Sequence, residues 1–65
     1  MIEIFIEHWS TGDVVRHPWS IWVNGRQLAS SHGKRDYGTA KESEADAVRF
    51  CSEILDNKPD RINRL

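Results

Sequence analysis

Residues 20–29 read SIWVNGRQLA, and the way this stretch pairs with itself decides the fold. β-Branched and aromatic residues precede Asn24-Gly25. Both central positions of a type I′ turn need positive φ, which Asn and Gly tolerate best. The stretch therefore predicts a hairpin with a two-residue loop. That register sets Val23 opposite Arg26, Trp22 opposite Gln27, Ile21 opposite Leu28 and Ser20 opposite Ala29. Side chains alternate across a strand, so Trp19, Ile21, Val23 and Leu28 share one face, and Ser20, Trp22, Gln27 and Ala29 share the other.

Outward from the hairpin, residues 1–9 (MIEIFIEHW) alternate in the same way. Ile2, Ile4 and Ile6 point to one side; Glu3, Phe5 and Glu7 point to the other, the pattern of a strand with one buried face. Residues 10–13 (STGD) form a turn cluster, Val14 and Val15 resume extended chain, and Pro18 suits the start of a strand. On the C-terminal side, residues 32–34 read as loop and 35–38 as a candidate short strand. Thr39 and Glu42 make a capping box, with Ser43 and Asp46 a competing start. The helix then runs to about Asp56. Ala47, Val48, Cys51, Ile54 and Leu55 form its apolar stripe, with Phe50 at the edge. Asn57 suits the left-handed C-cap and Pro59 blocks continuation.

These elements predict an α+β fold: a three-stranded antiparallel sheet, four-stranded if residues 35–38 join it, with one C-terminal helix packed on one face. Residues 1–58 form a single β-β-β-α domain, and residues 59–65 are a tail that docks through Ile62 and Leu65 or frays. The expected core is Ile2, Ile4, Ile6, Trp19, Ile21, Val23, Leu28, Val48, Cys51 and Leu55. No second helix exists to cover the other face. Trp22 and Phe5 fall there, and Trp9 is placed with them. The competing arrangement is a second small cluster of Trp22, Phe5, Ile62 and Leu65.

Composition narrows the function classes. A chain of 65 residues makes one domain. At this size only about 60% of the unfolded surface is buried on folding. One cysteine excludes an internal disulfide and suits a reducing cytoplasm. The acidic N-terminal stretch is unlike a signal peptide, and no apolar run is long enough to span a membrane. Net charge is −1, unevenly spread: −3 over residues 1–15, +4 over 16–41 and −2 over 42–65. The basic middle carries Arg16, Arg26, Lys34, Arg35 and Lys41, a candidate nucleic-acid-binding set if these residues project with Trp22. Glu3 and Glu7, on the same open face as Trp22, oppose phosphate.

Chemistry finds little support. His8, His17, His32 and Cys51 lack the spacings of a metal site, and Cys51 lies within the apolar stripe. Ser30, Ser31 and His32 are neighbours in sequence, but adjacent residues on extended chain point apart, and a nucleophile and base must approach to about 3 Å. A chain this short offers little material for a pocket of roughly 300 Å³ or more. No catalytic residue, metal or cofactor is assigned, and no small-molecule substrate is expected.

Asn24, Gly25, Ala29, Ser30, Tyr37 and Thr39, about half the chain, resemble the small bacterial domains of YegP-like kind, which have a hairpin NG, a small-residue pair, then Tyr and Thr or Ser before a helix. That resemblance implies a β-β-β-α domain and no defined activity. The order of elements is similar to the sheet-plus-helix DNA binders of AP2 and integrase-arm type, whose sheet enters the major groove. The residues themselves favour a non-catalytic interaction protein. It docks its open face, through Trp22, Phe5, Trp9 and Gln27, onto a protein partner or a second copy of itself, in the manner of inhibitors and accessory factors of phages and mobile elements. DNA or RNA binding by the basic hairpin is the alternative.

Overall fold

The computed structural model describes residues 1–31 and 37–65. In chain order the elements are β1 (Ile2–Ile6), β2 (Trp9–Thr11), β3 (Val14–Arg16), β4 (Trp19–Val23), β5 (Arg26–Ser30), α1 (Ala40–Leu55) and β6 (Arg61–Arg64). The fold is α+β, with one four-stranded sheet in the order β5-β4-β1-β6, a separate two-stranded sheet of β2 and β3, and the single helix near the C-terminus.

The hairpin forms where expected. Asn24 and Gly25 take φ of 51° and 83°, and Val23 pairs with Arg26 and Trp22 with Gln27. One step further the expected register fails. Ile21 pairs with Ala29 and Ser20 with Ser30, leaving Leu28 as the extra residue of a β-bulge. Leu28 was expected in the core and is instead 51% exposed. β5 is the outer strand of the sheet, where an unpaired residue disturbs no second ladder. The shift places small Ala29 against Ile21; Ala29 and Phe50 both pack against the core, the Phe50 ring centroid lying 5.3 Å from that of Trp19.

The fourth strand is not where the sequence suggested it. Residues 35 and 36 lie outside the described residues, and Tyr37 and Gly38 form no strand. The place is taken by β6, from the expected tail, lying parallel to β1, so the sheet is mixed rather than wholly antiparallel. β1 is flanked by β4 on one side only, and its other row of backbone groups needs partners. Asp60 and Leu65 donate their N–H groups to Ile2 and Ile6 carbonyls at 2.8 and 2.9 Å, and the Asp60 carboxylate accepts the Ile2 N–H at 2.6 Å. Four residues reading RINR carry too little apolar alternation to announce a strand. Residues 10–16 add a further hairpin, with Gly12 at φ 59° in the first central position, as in a type II′ turn.

The helix begins at the first of its two candidate starts. Thr39 is the N-cap, with its hydroxyl accepting from the Glu42 N–H at 3.2 Å. Ser43 therefore lies inside the helix, fully buried. Asp56, one residue before the expected Asn57, takes the left-handed C-cap at φ 50°. Sixteen helical residues span about 24 Å, against about 17 Å for a five-residue strand. Ile54, expected in the stripe, is exposed, while its neighbour Leu55 packs against the core.

Ile4, Ile6, Trp19, Ile21, Tyr37, Ala47 and Cys51 form the buried core; Ile2, Val48, Phe50 and Leu55 pack around it. Val23 is half-buried at the hairpin end. Tyr37 is the member sequence reading missed. Its hydroxyl accepts the Trp19 indole N–H at 3.1 Å and donates to the Asp46 carboxylate, which also pairs with Arg49. Asp46 thus ties helix to core instead of capping a later helix start. Ser31 completes the arrangement, accepting the Trp19 backbone N–H at 2.9 Å through Oγ.

Ile21→Ala should lower unfolding free energy by about 2–5 kcal/mol, whereas Leu28→Ala should change it by about 0.5 kcal/mol or less; urea titration distinguishes the two. Tyr37→Phe removes the partner of the Trp19 indole and should cost about 1–3 kcal/mol in the same titration. Burial, and secondarily the Asp60 carboxylate, push the Cys51 thiol above its ordinary 9.0. The thiol of the unfolded chain ionises first, so stability should be level below about pH 9 and fall as pH rises past it, a slope that Cys51→Ala removes from pH-dependent melting curves.

Candidate functional site

α1 packs on β1 and β4, and among the described residues no helix lies on the opposite side of the sheet. Strand alternation decides which residues face that way. From β1 they are Glu3, Phe5 and Glu7; from β4, Ser20 and Trp22; from β5, Gln27. β1 and β4 pair Glu3 with Trp22 and Phe5 with Ser20, which sets the two aromatic residues diagonally. Their rings meet edge to face, with centroids 6.2 Å apart and planes at 76°. Trp22 directs its N–H along its own strand to the Ser20 hydroxyl at 2.9 Å. Neither residue belongs to the core, and both are half-buried.

Around this pair the sheet forms an open groove of about 480 Å³, lined by Glu3, Phe5, Glu7, Ser20, Trp22, Gly25, Gln27 and Leu65. Such a volume was not expected of so short a chain. It arises because the hairpin turn at one side and Leu65 at the other rise beside an uncovered, twisted sheet. Leu65, which the sequence placed in a docking tail, arrives there by way of β6. Ile62 is in register with Ile4 and so belongs to the helix side; of the competing cluster of Trp22, Phe5, Ile62 and Leu65, Trp22, Phe5 and Leu65 line the groove, with Leu65 itself exposed.

Trp9 is displaced from this group. It lies on β2 of the small sheet, 43% exposed, and does not line the groove. Its indole N–H donates to Glu7 Oε1 at 3.3 Å, so it reaches only the groove's edge. The described basic residues do not converge. Arg16 is on β3 opposite Trp9, Arg26 is opposite Val23 and exposed at the hairpin end, and Lys41 is exposed in the first turn of α1. Lys34 and Arg35 lie outside the described residues, as does His32.

The remaining chemical candidates are also dispersed. His8 and His17 meet edge to face at 5.1 Å, Cys51 is in the core with its thiol toward the Asn57 carbonyl, and Ser31 is buried against the Trp19 backbone. Among the described residues no group of three or more His, Cys, Asp or Glu is placed to hold a metal, and no helix is long and apolar enough to cross a membrane. The groove presents two aromatic rings and the carboxylates of Glu3 and Glu7. Comparison of the chain with protein-family models, with curated proteins and with solved structures finds no match.

Proposed function

We propose that this protein is a non-catalytic binding module that docks the open face of its sheet onto a protein partner. The observation that carries this reading is the Phe5–Trp22 pair, half-buried on the sheet face opposite α1, which no helix covers among the described residues. Interface anchors are typically aromatic, seated in a depression and ringed by polar groups, and Glu3, Glu7, Ser20 and Gln27 supply that ring. Occupying a surface of a larger assembly, as an inhibitor or accessory factor does, needs no more than this. A second copy of the chain docking on the same face is the self-association form of the same reading.

Nucleic-acid binding draws less support. A duplex or single strand seated on this face would bring its phosphates toward Glu3 and Glu7, while Arg26 is in register on the helix side.

Trp22→Ala should leave the far-UV circular dichroism spectrum and melting temperature nearly unchanged, whereas Trp19→Ala should cost about 3–5 kcal/mol. A partner captured by the intact protein from nuclease-treated lysate should bind Trp22→Ala more weakly by about 2 kcal/mol or more. Unfolding of Trp22→Ala would make the ring structural and overturn the reading; loss of capture on nuclease treatment would move the protein to the nucleic-acid class. A melting temperature that rises with protein concentration would identify the partner as a second copy.

A further inference from the structure

We infer that His8 and His17 form a two-imidazole site for a divalent transition-metal ion of the Zn²⁺ class, on the side of the sheet away from the docking groove. Strand pairing brings the two residues together. β1 and β4 set Ile6 opposite Trp19, and the Glu7 N–H then donates to the Pro18 carbonyl at 2.8 Å; beyond them Trp9 lies opposite Arg16. The register therefore runs continuously from the large sheet into the small one, and it sets His8 directly opposite His17. Glu7 and Pro18 make a hydrogen-bonded pair, so the next pair along is a non-hydrogen-bonded one. In such a pair the Cα atoms approach to about 4.5 Å and the side chains stand close on one face. The His17 N–H agrees with this, pointing outward to the Tyr37 carbonyl at 3.1 Å. By alternation the face is that of Ile6 and Trp19, opposite to Glu7 and the groove.

The ring geometry suits a shared ion. The two imidazole centroids are 5.1 Å apart, with planes at 72°. Two imidazoles on one tetrahedral ion, at metal–nitrogen distances of about 2.0–2.1 Å, have centroids about 5 Å apart. Each ring can turn about its own metal–nitrogen bond without altering that separation. Imidazole nitrogen suits Zn²⁺, Ni²⁺ and Cu²⁺, whereas Mg²⁺ and Ca²⁺ prefer oxygen. His8 is exposed and His17 half-buried, so an ion reaches the pair from solvent. Among the described residues neither imidazole is committed to a hydrogen bond or an ion pair; each ring meets the other. No third His, Cys, Asp or Glu among the described residues stands with them, which leaves coordination positions open to water, as in exchangeable rather than closed structural sites. His8 lies between β1 and β2, and His17 between β3 and β4. The ion would thus cross-link the two connections by which the small hairpin joins the large sheet.

The test titrates the isotopically labelled, untagged full chain with ZnCl₂ and, separately, with MgCl₂. The ring-nitrogen resonances of His8 and His17 should move together along one saturating curve, with Zn²⁺ bound at least about tenfold more tightly than Mg²⁺. His8→Ala and His17→Ala should each weaken Zn²⁺ binding by about tenfold or more. The double variant should lose little beyond either single one, because a chelate is broken by removing either ligand. Zn²⁺ should also raise the melting temperature of the unaltered protein more than that of either variant. Should a variant fail to fold, the ring resonances of the unaltered protein decide alone. Resonances that follow different curves, that stay fixed up to about 1 mM Zn²⁺, or that respond equally to Mg²⁺ overturn the inference. Single-variant losses that add in the double variant overturn it too, since they mean two separate histidines.

Discussion

The protein is organised by a mismatch between a sheet with two faces and, among the described residues, one helix. α1 removes one face of the β4-β1 centre from water, and strand alternation then assigns each side chain to the covered or the open side without intermediate choices. Trp19 and Trp22, three residues apart on β4, illustrate the consequence. Trp19 is buried beneath the helix against Phe50, and Trp22 is half-buried on the other side against Phe5. The same residue type on the same strand is structural in one case and available for contact in the other.

The covered side gains specificity from polar groups as well as from isoleucines. Trp19 brings an indole N–H into the core, and a buried donor without an acceptor is costly. Tyr37 supplies the acceptor and passes the connection to Asp46 on the helix. This chain fixes the helix along its axis, which apolar contacts alone do only loosely. It also gives the described end of the segment before the helix a definite position, since Tyr37 additionally accepts the His17 backbone N–H through its carbonyl at 3.1 Å.

Charge on the open side reads differently in space than in sequence. The central third of the chain is basic, yet its described cations are distributed over the small hairpin, the turn of the large hairpin and the start of the helix. The groove instead inherits the acidic alternation of β1. A count of charges along a segment averages over both faces of its strands, and the local field in a groove depends on one face only. That is the physical basis on which the proposed reading prefers a protein partner over phosphate.

Much of this was determined by local sequence. The NG turn, the alternation of β1 and β4, the Thr39 cap and the outward direction of Phe5 and Trp22 follow from backbone preferences and side-chain period, which act within a few residues. Only the tertiary structure decided the rest. The Leu28 bulge is accommodated because β5 is an outer strand. β6 forms because β1 lacks partners along one edge, and Tyr37 is buried because Trp19 brings in a donor. The groove's volume depends on Leu65 arriving along β6, and Trp9 left the site because residues 9–16 pair with themselves. Each of these is a demand set by a residue distant in the chain, and such demands become visible only when the strands are already side by side.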